Sequence, residues 1–334
     1  MKLTKSLMVA AVAGIALLAT SCGGGGGQQG GGLITVTFAG TEAPATGQSR
    51  AMQEMADILN ATGRFNAVVQ VGGALSNDTD NLVTQARTGV PLVVPTDPGR
   101  LATQFNIPDM NILMAPFVLT DPEVLPRLVQ TPLFNEWQNQ LEQQGVIFVA
   151  NMYNGFRSFY TVNPVNTVSD LSGLRIRGFG NDIGNALGRH LGFANIGIAW
   201  GETLPGLQQG TLDGTEVQVA AAYGSAIFDV ANYLALTRHF MLQSSFVVSS
   251  GLLNSMPAED REFFLTTVRE VAARFSDIIA EEEIDYYQRM AARGVTIVEV
   301  NMDEFMDAIA PLYIYNDLGF SPGLRDRLFA ELDI

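Results

Sequence analysis

Leu33 to Val94 reads LITVTFAGTEAPATGQSRAMQEMADILNATGRFNAVVQVGGALSNDTDNLVTQARTGVPLVV, and this stretch decides the fold class. Leu33 to Ala39 alternates β-branched and apolar residues, as a strand does. Gly40-Thr41-Glu42-Ala43-Pro44 is a loop. From Ser49 to Leu59, Met52, Met55, Ala56 and Leu59 share one helical face. Ala67 to Val71 reads as a second strand, Asn77 to Arg87 as a second helix and Leu92 to Val94 as a third short strand. A β-α-β-α opening of this kind predicts an α/β fold with a mainly parallel sheet.

Working outward, the alternation continues. Strands are expected at Val146 to Ala150, ending near Asn151, and at Leu174 to Gly178, Thr215 to Val219 and Ser245 to Ser250. Helices are expected at Asp182 to Leu191, Glu202 to Gln209 and Ser225 to Tyr233. The longest helix begins at Pro257, with Glu259 and Asp260 at the positive end of its dipole. Phe264, Val268, Val271, Phe275 and Ile278 recur at helical spacing, and Gly294 is a natural stop. This stripe reads as core packing rather than a cofactor box. At 1.5 Å per residue the helix is about 50 Å long, more than one domain's diameter, so it is expected to lie across two lobes. The length of 334 residues agrees with roughly two domains.

The first residues read as a targeting segment. Lys2 and Lys5 precede an apolar run from Met8 to Leu18, too short for a comfortable permanent span. Leu18-Ala19-Thr20-Ser21-Cys22 then resembles a bacterial lipobox, with Leu18 one place further out than in the commonest arrangement. Cys22 is the only cysteine, so no disulfide is available. Lipidation of Cys22 is the leading expectation. Ordinary signal cleavage with a spare thiol is the alternative. Gly23 to Gly32 (GGGGGQQGGG) cannot bury apolar surface and reads as a tether. No other run is long enough for a membrane helix, so membrane contact is expected through the lipid anchor only.

The chain carries 34 acidic and 19 basic residues, a net charge of -15. An acidic surface argues against nucleic-acid binding and against anionic lipid heads. An anion site must then be a local exception built from placed arginines. Gly155 to Gln218 supplies candidates in Arg157 and Arg177, flanked by glycine and apolar residues. A guanidinium matches a carboxylate as a planar fork and stays charged in a pocket. Arg175, two residues from Arg177, points to the opposite strand face. His190 and His239 are far apart and lack metal-ligand spacing. No nucleophile elbow, P-loop or dinucleotide fingerprint is present.

Several segments, in order, carry a family resemblance. They are Gln85 to Val90 (QARTGV), Thr96 to Leu101 (TDPGRL), Ala115 to Asp121 (APFVLTD) and Gly155-Phe156-Arg157. Pro164-Val165 to Asp170-Leu171 with Gly173 to Arg177 (GLRIR) is the most recognisable. Gly201-Glu202 to Gly210 and Asp213 to Glu216 (DGTE) complete the set. From about Leu33 to Leu318 the chain resembles the DctP-type solute-binding proteins of tripartite ATP-independent periplasmic (TRAP) transporters.

The resemblance implies a two-lobed periplasmic-binding-protein-like α/β fold with hinge strands and a long C-terminal helix spanning both lobes. On that pattern residues 1–22 are a lipoprotein signal peptide and 23–32 a tether. Residues 33–153 and 243–281 would form lobe I, and 154–242 and 282–334 lobe II. The implied function is an extracytoplasmic protein, not an enzyme, that closes on a carboxylate-bearing small molecule. It would hand that molecule to a TRAP membrane permease. Arg177 matches the arginine that pairs with the ligand carboxylate, Arg157 a second ligand-facing arginine, and Trp200 an aromatic ligand wall. Val217 stands where the family often has an asparagine that contacts the ligand. Gln218 or Tyr223 could compensate.

Thr41, Glu42 and Asp97 lie on loops after first-lobe strands, which face the cleft in open α/β sheets. Glu216 has two readings: a pair with an arginine, which leads, or a ligand for a metal ion bridging the bound acid. No other cofactor is expected. A sensor presenting its closed form to a membrane receptor is one alternative function. An extracytoplasmic enzyme acting on a small organic acid is another, although no triad or matched acid/base pair supports it.

Overall fold

The computed structural model describes residues 32–334; the signal segment, Cys22 and the tether as far as Gly31 lie outside the described residues. In the body, nine strands form one sheet: β1 Ile34–Ala39, β2 Phe65–Gln70, β3 Leu92–Thr96, β4 Val146–Thr161, β5 Arg175–Arg177, β6 Ala194–Ile196, β7 Gly214–Gln218, β8 Tyr233–Ser249 and β9 Thr296–Val298. Their spatial order is β2-β1-β3-β8-β4-β7-β5-β6, with β9 pairing β8.

Each end of that order is parallel and the middle antiparallel. β1 lies parallel to β2 and β3, and β5 parallel to β6 and β7. β3, β8, β4 and β7 alternate in direction. The expected β-α-β-α opening is therefore present, with helices Gly47–Ala61 and Thr79–Arg87 between the first three strands. Val36 and Phe38 of β1 are fully buried, against Met52, Met55 and Leu59 of the first helix, which the same core contains.

The two-lobed architecture rests on β4 and β8. β8 pairs a first-lobe strand at its end and β9 at its start, while β4 runs beside β8 along its length and pairs β7 with its last residues. β8 pairs β3 through Ser245–Val248, and β4 pairs β7 through Arg157–Thr161. Their mutual register shifts between Tyr153 and Phe156, where Gly155 adopts φ 95°. A Cβ there would sit 3.0 Å from the Gln218 Cβ, so glycine lets the strand turn against β7.

Three expectations need correction. β4 does not end near Asn151; it runs to Thr161, because Asn151 to Arg157 are held on one side by β8. Residues 225–233 are not a helix. The chain turns helical earlier, at Val219–Gly224, and Ala226 at φ 52° breaks it, leaving a single 3-10 turn at Ile227–Asp229. The last helix, Leu324–Leu332, does not accompany the second lobe. Arg327 pairs with Glu136, Glu331 accepts from the Leu133 amide and Arg127 donates to the Leu332 carbonyl, which places it on the first lobe's helix Pro132–Gln143.

The long helix, Ala258–Ala292, is 35 residues. Phe264, Val268, Val271 and Phe275 are buried as expected, each such side chain contributing about 1.5–3 kcal/mol. Ile279 rather than Ile278 continues the buried stripe. The helix meets the first lobe through Arg50–Glu282 and the second through Arg293, whose guanidinium lies over Phe228. It therefore spans both lobes. Among the described residues no helix is long and apolar enough to cross a membrane.

Candidate functional site

The cleft between the lobes contains an inner chamber of about 110 Å³ and an outer one of about 550 Å³. They share Thr41, Thr79, Arg100, Arg177, Phe179 and Trp200 as walls. Arg177 is the last residue of β5, placed there by pairing with Thr215 of β7 and Ile196 of β6. Thr215 Oγ1 also donates to the Arg177 carbonyl at 3.0 Å. The outer wall is closed by two glycines in contact. A Cβ on Gly197 would meet the Gly180 Cα at 2.6 Å, so only glycine lets the loops after β5 and β6 pack together.

Arg177 is buried, and its guanidinium donates only weakly to the Ile198 carbonyl, at 3.3 Å from Nε and from Nη2. It lies over the Trp200 ring at 5.3 Å. No ion pair to it forms among the described residues. Desolvation, reinforced by the nearby positive charge of Arg157, pushes its pKa down to about 10. That depression is the mark of a buried cation lacking an anion.

Arg157 differs. Its Nε donates to Glu216 Oε2 at 2.5 Å, and its Nη2 to Glu216 Oε1 at 2.7 Å and to the Glu216 carbonyl. Its Nη1 reaches Gln218 Oε1 at 3.4 Å. The guanidinium is also 4.3 Å from the Phe179 ring centroid. Arg157 and Gln218 are register partners on β4 and β7, so the pair joins two adjacent strands. Arg157 lines the inner chamber while its charge is already matched.

Glu216 therefore occupies the paired reading. His239 Nε2 lies 3.5 Å from its second oxygen, and Thr237 Oγ1 bonds His239 Nδ1 at 2.8 Å. Burial pushes the His239 pKa down. Although burial opposes it, the charge and hydrogen bonds of Arg157 hold the Glu216 carboxyl below its usual range. A metal ion at Glu216 would have to displace a bidentate guanidinium. No cluster of three or more His, Cys, Asp or Glu able to hold a metal occurs among the described residues.

The remaining candidates separate. Thr41, Glu42, Asp97, Trp200, Val217 and Gln218 all line the inner chamber. Asp97 is a helix cap: Oδ1 accepts from the Arg100 amide and Oδ2 from Arg100 Nε, both close to 2.9 Å. Val217 is buried and presents an apolar surface. Gln218 Nε2 donates to Glu42 Oε1 at 3.3 Å. Tyr223 does not line either chamber; it stacks on Phe228 and packs against Tyr286. Of the two residues that could compensate for Val217, geometry leaves Gln218 in place and Tyr223 outside.

Sequence reasoning missed Arg100, Asn154, Gln48 and Ser244. Asn154 Nδ2 donates to Glu42, and Gln48 Nε2 to Ser244 Oγ at 2.7 Å. Arg100 was inside a quoted segment, but only the fold shows that it bridges Asp97 and Asp80. A larger groove of about 1120 Å³ lies between Phe134, Phe148 and Leu265. Its arginines, Arg269 exposed and Arg261 half-buried, are not fully buried as Arg177 is.

The arrangement can hold an anion at the buried Arg177, in a chamber lined by both polar and apolar groups. The family described as bacterial extracellular solute-binding protein, family 7 (DctP), matches residues 38–316. A solute-binding protein of Chromohalobacter salexigens is 26% identical over 275 residues, 81% of each chain. A TRAP periplasmic solute-binding protein of Actinobacillus succinogenes, solved with bound L-galactonate, aligns at TM-score 0.84 and 22% identity. That alignment covers 90% of this chain and 99% of that one. A third, from Desulfovibrio salexigens in complex with diglycerolphosphate, aligns at TM-score 0.83 and 25% identity, covering 90% and 97%. The chain belongs to the family 7 extracellular solute-binding proteins, the DctP-type binding proteins of TRAP transporters.

Proposed function

We propose that this protein captures a small carboxylate-bearing solute outside the cytoplasm and delivers it to a TRAP permease, without catalysing a reaction on it. The observation that carries the reading is Arg177: a buried guanidinium in the cleft with no acidic partner among the described residues. A solute carboxylate would supply the missing charge, and removal of water on closure would strengthen the pair. The solved relative holding L-galactonate supports an organic acid as the class of ligand.

Capture proceeds by hinge closure. β4 and β8 are the crossing strands, and their register shift at Tyr153–Phe156 gives the bend a place to occur. A solute touching both walls favours the closed form by its differential contacts. Lobe boundaries near Tyr153 and Gln243 belong to this proposal, as does lipid attachment at Cys22. Glu216, held by Arg157, has a positioning role rather than a metal-binding one.

Thermal unfolding of the full chain against a panel of organic acids tests the binding reading. At a thousand times its Kd a solute stabilises by about 4 kcal/mol, a shift of several degrees. That shift should vanish in Arg177→Ala. An equal shift in the variant would make Arg177 structural and remove the basis of the reading. Incorporation of labelled fatty acid in cells, lost in Cys22→Ser, tests the anchor.

A further inference from the structure

Glu283 is a buried acid on the long helix, and both oxygens of its carboxyl are taken by tyrosine hydroxyls. Oε2 accepts from Tyr153 of β4, and Oε1 from Tyr287, one turn further along the helix, at 2.6 Å. The Tyr153 amide is tied to the same helix, donating to Ser276 Oγ at 3.0 Å. Tyr287 also meets the other crossing strand: the Arg238 guanidinium of β8 lies 5.8 Å from its ring centroid. Arg238 itself adopts φ 42°, which is uncommon for a residue with a side chain. None of these residues lines either chamber of the cleft.

A third tyrosine belongs to this neighbourhood. The Tyr160 hydroxyl is buried and has no hydrogen-bond partner among the described residues. Burial, and then the proximity of Tyr287 and Glu283, pushes its pKa up. A buried hydroxyl left unpaired costs free energy, so a form of the chain that paired it would gain that much. Tyr153 and Tyr160 both stand on β4, but two breaks in its ladder with β8 separate them. The register shifts between Tyr153 and Phe156 and again between Arg157 and Phe159. Tyr153 thus lies on the first-lobe side of the bend and Tyr160 on the second-lobe side, while one helix passes both. Rotation at the bend moves the two hydroxyls differently relative to Glu283. The described form satisfies one and strands the other.

Resting on the hinge closure described above, we propose that Glu283, with Tyr287, is a two-position hinge switch: Tyr153 occupies it in the described form, and rotation of the lobes exchanges Tyr153 for Tyr160. The balance between the two forms is then set on the long helix, at groups outside both chambers of the cleft.

Interlobe distances from double electron–electron resonance test this. Spin labels are placed at Asp57→Cys on the first-lobe helix and Arg189→Cys on the second-lobe helix, both exposed positions, in the full chain carrying Cys22→Ser. The labelled chain, its Tyr153→Phe and Tyr160→Phe variants and their combination are compared without solute and with each acid of the panel above. Unliganded thermal unfolding checks each fold. The described form sets one distance and the rotated form another. Tyr153→Phe should lower the ratio of the first to the second, and Tyr160→Phe should raise it, each by about fivefold, the worth of one net hydrogen bond. The combination should lie near the unaltered chain. A ratio unchanged in either single variant, or moved the same way in both, would overturn the switch and leave hinge closure standing. A single distance in every protein and with every acid would remove hinge closure and the switch together.

Discussion

Asn154 Nδ2 lies 2.9 Å from Glu42 Oε1 and donates to it. Asn154 stands where β4 passes between the lobes, and Glu42 on the loop that follows β1. One hydrogen bond thus ties the crossing strand to the first-lobe wall. The acceptor is a carboxyl with a raised pKa, and the main cause is loss of water.

The Glu42 carboxyl takes up a proton more readily in the folded chain than in the unfolded one. Folding stability from this group is therefore complete below its unfolded value of 4.5 and declines as pH rises through the folded pKa. Glu42→Gln removes that decline. Urea denaturation from pH 4 to pH 7 should show the variant gaining on the wild type as pH rises. A constant difference across the range would contradict the assigned shift.

Arg177 is an unmatched buried cation, so its removal should help the unliganded fold. Arg177→Met keeps most of the apolar stem against Trp200 and deletes the charge. The unliganded variant should be more stable by about 1–3 kcal/mol at pH 7, since the charged form is disfavoured by desolvation. Acid-solute binding should be lost at the same time. Chemical denaturation and calorimetry on one preparation read both effects; a destabilised variant would show that Arg177 has a structural partner.

The Arg157–Glu216 pair is buried on both sides. Glu216→Ala leaves a guanidinium without its anion, which costs about 3–5 kcal/mol. Arg157→Met with Glu216→Leu should cost much less than the sum of the single changes, because neither charge is then stranded. Denaturation of the two singles and the double measures the coupling. Additive losses would mean the pair does not act as a unit.

His239 makes its own contribution on the acid side. Its folded pKa lies below the ordinary 6.5, with burial the leading cause. Stability from it is present above 6.5 and is lost as pH falls through the folded value. His239→Gln should flatten the stability profile between pH 6.5 and pH 5 relative to wild type. Parallel profiles would exclude His239 as the group responsible.

Much of the fold was legible because it depends on local periodicity. The strand Ile34–Ala39, the helix Asp182–Leu191 and the long helix to Ala292 all carry their apolar pattern within the segment. β4 beyond Asn151 was not legible. Its residues are held by β8, nearly a hundred positions away, and by β7. Residues 225–233 failed for a related reason: an apolar run adequate for a helix was stopped by a left-handed turn at Ala226.

The site divides in the same way. Residue type and flanking sequence alone determined that Arg157 and Arg177 were the cations to examine, because a guanidinium among glycines and apolar residues has few uses other than an anion or a buried pair. The same reading placed Thr41, Glu42 and Asp97 at strand ends facing a cleft. Which arginine was already matched was decided only by tertiary structure. Strand β7 sets Glu216 beside Arg157, while Arg177, at the end of β5, meets a carbonyl and a tryptophan ring. Charge matching depends on distance between groups far apart in the chain, and the fold alone sets that distance.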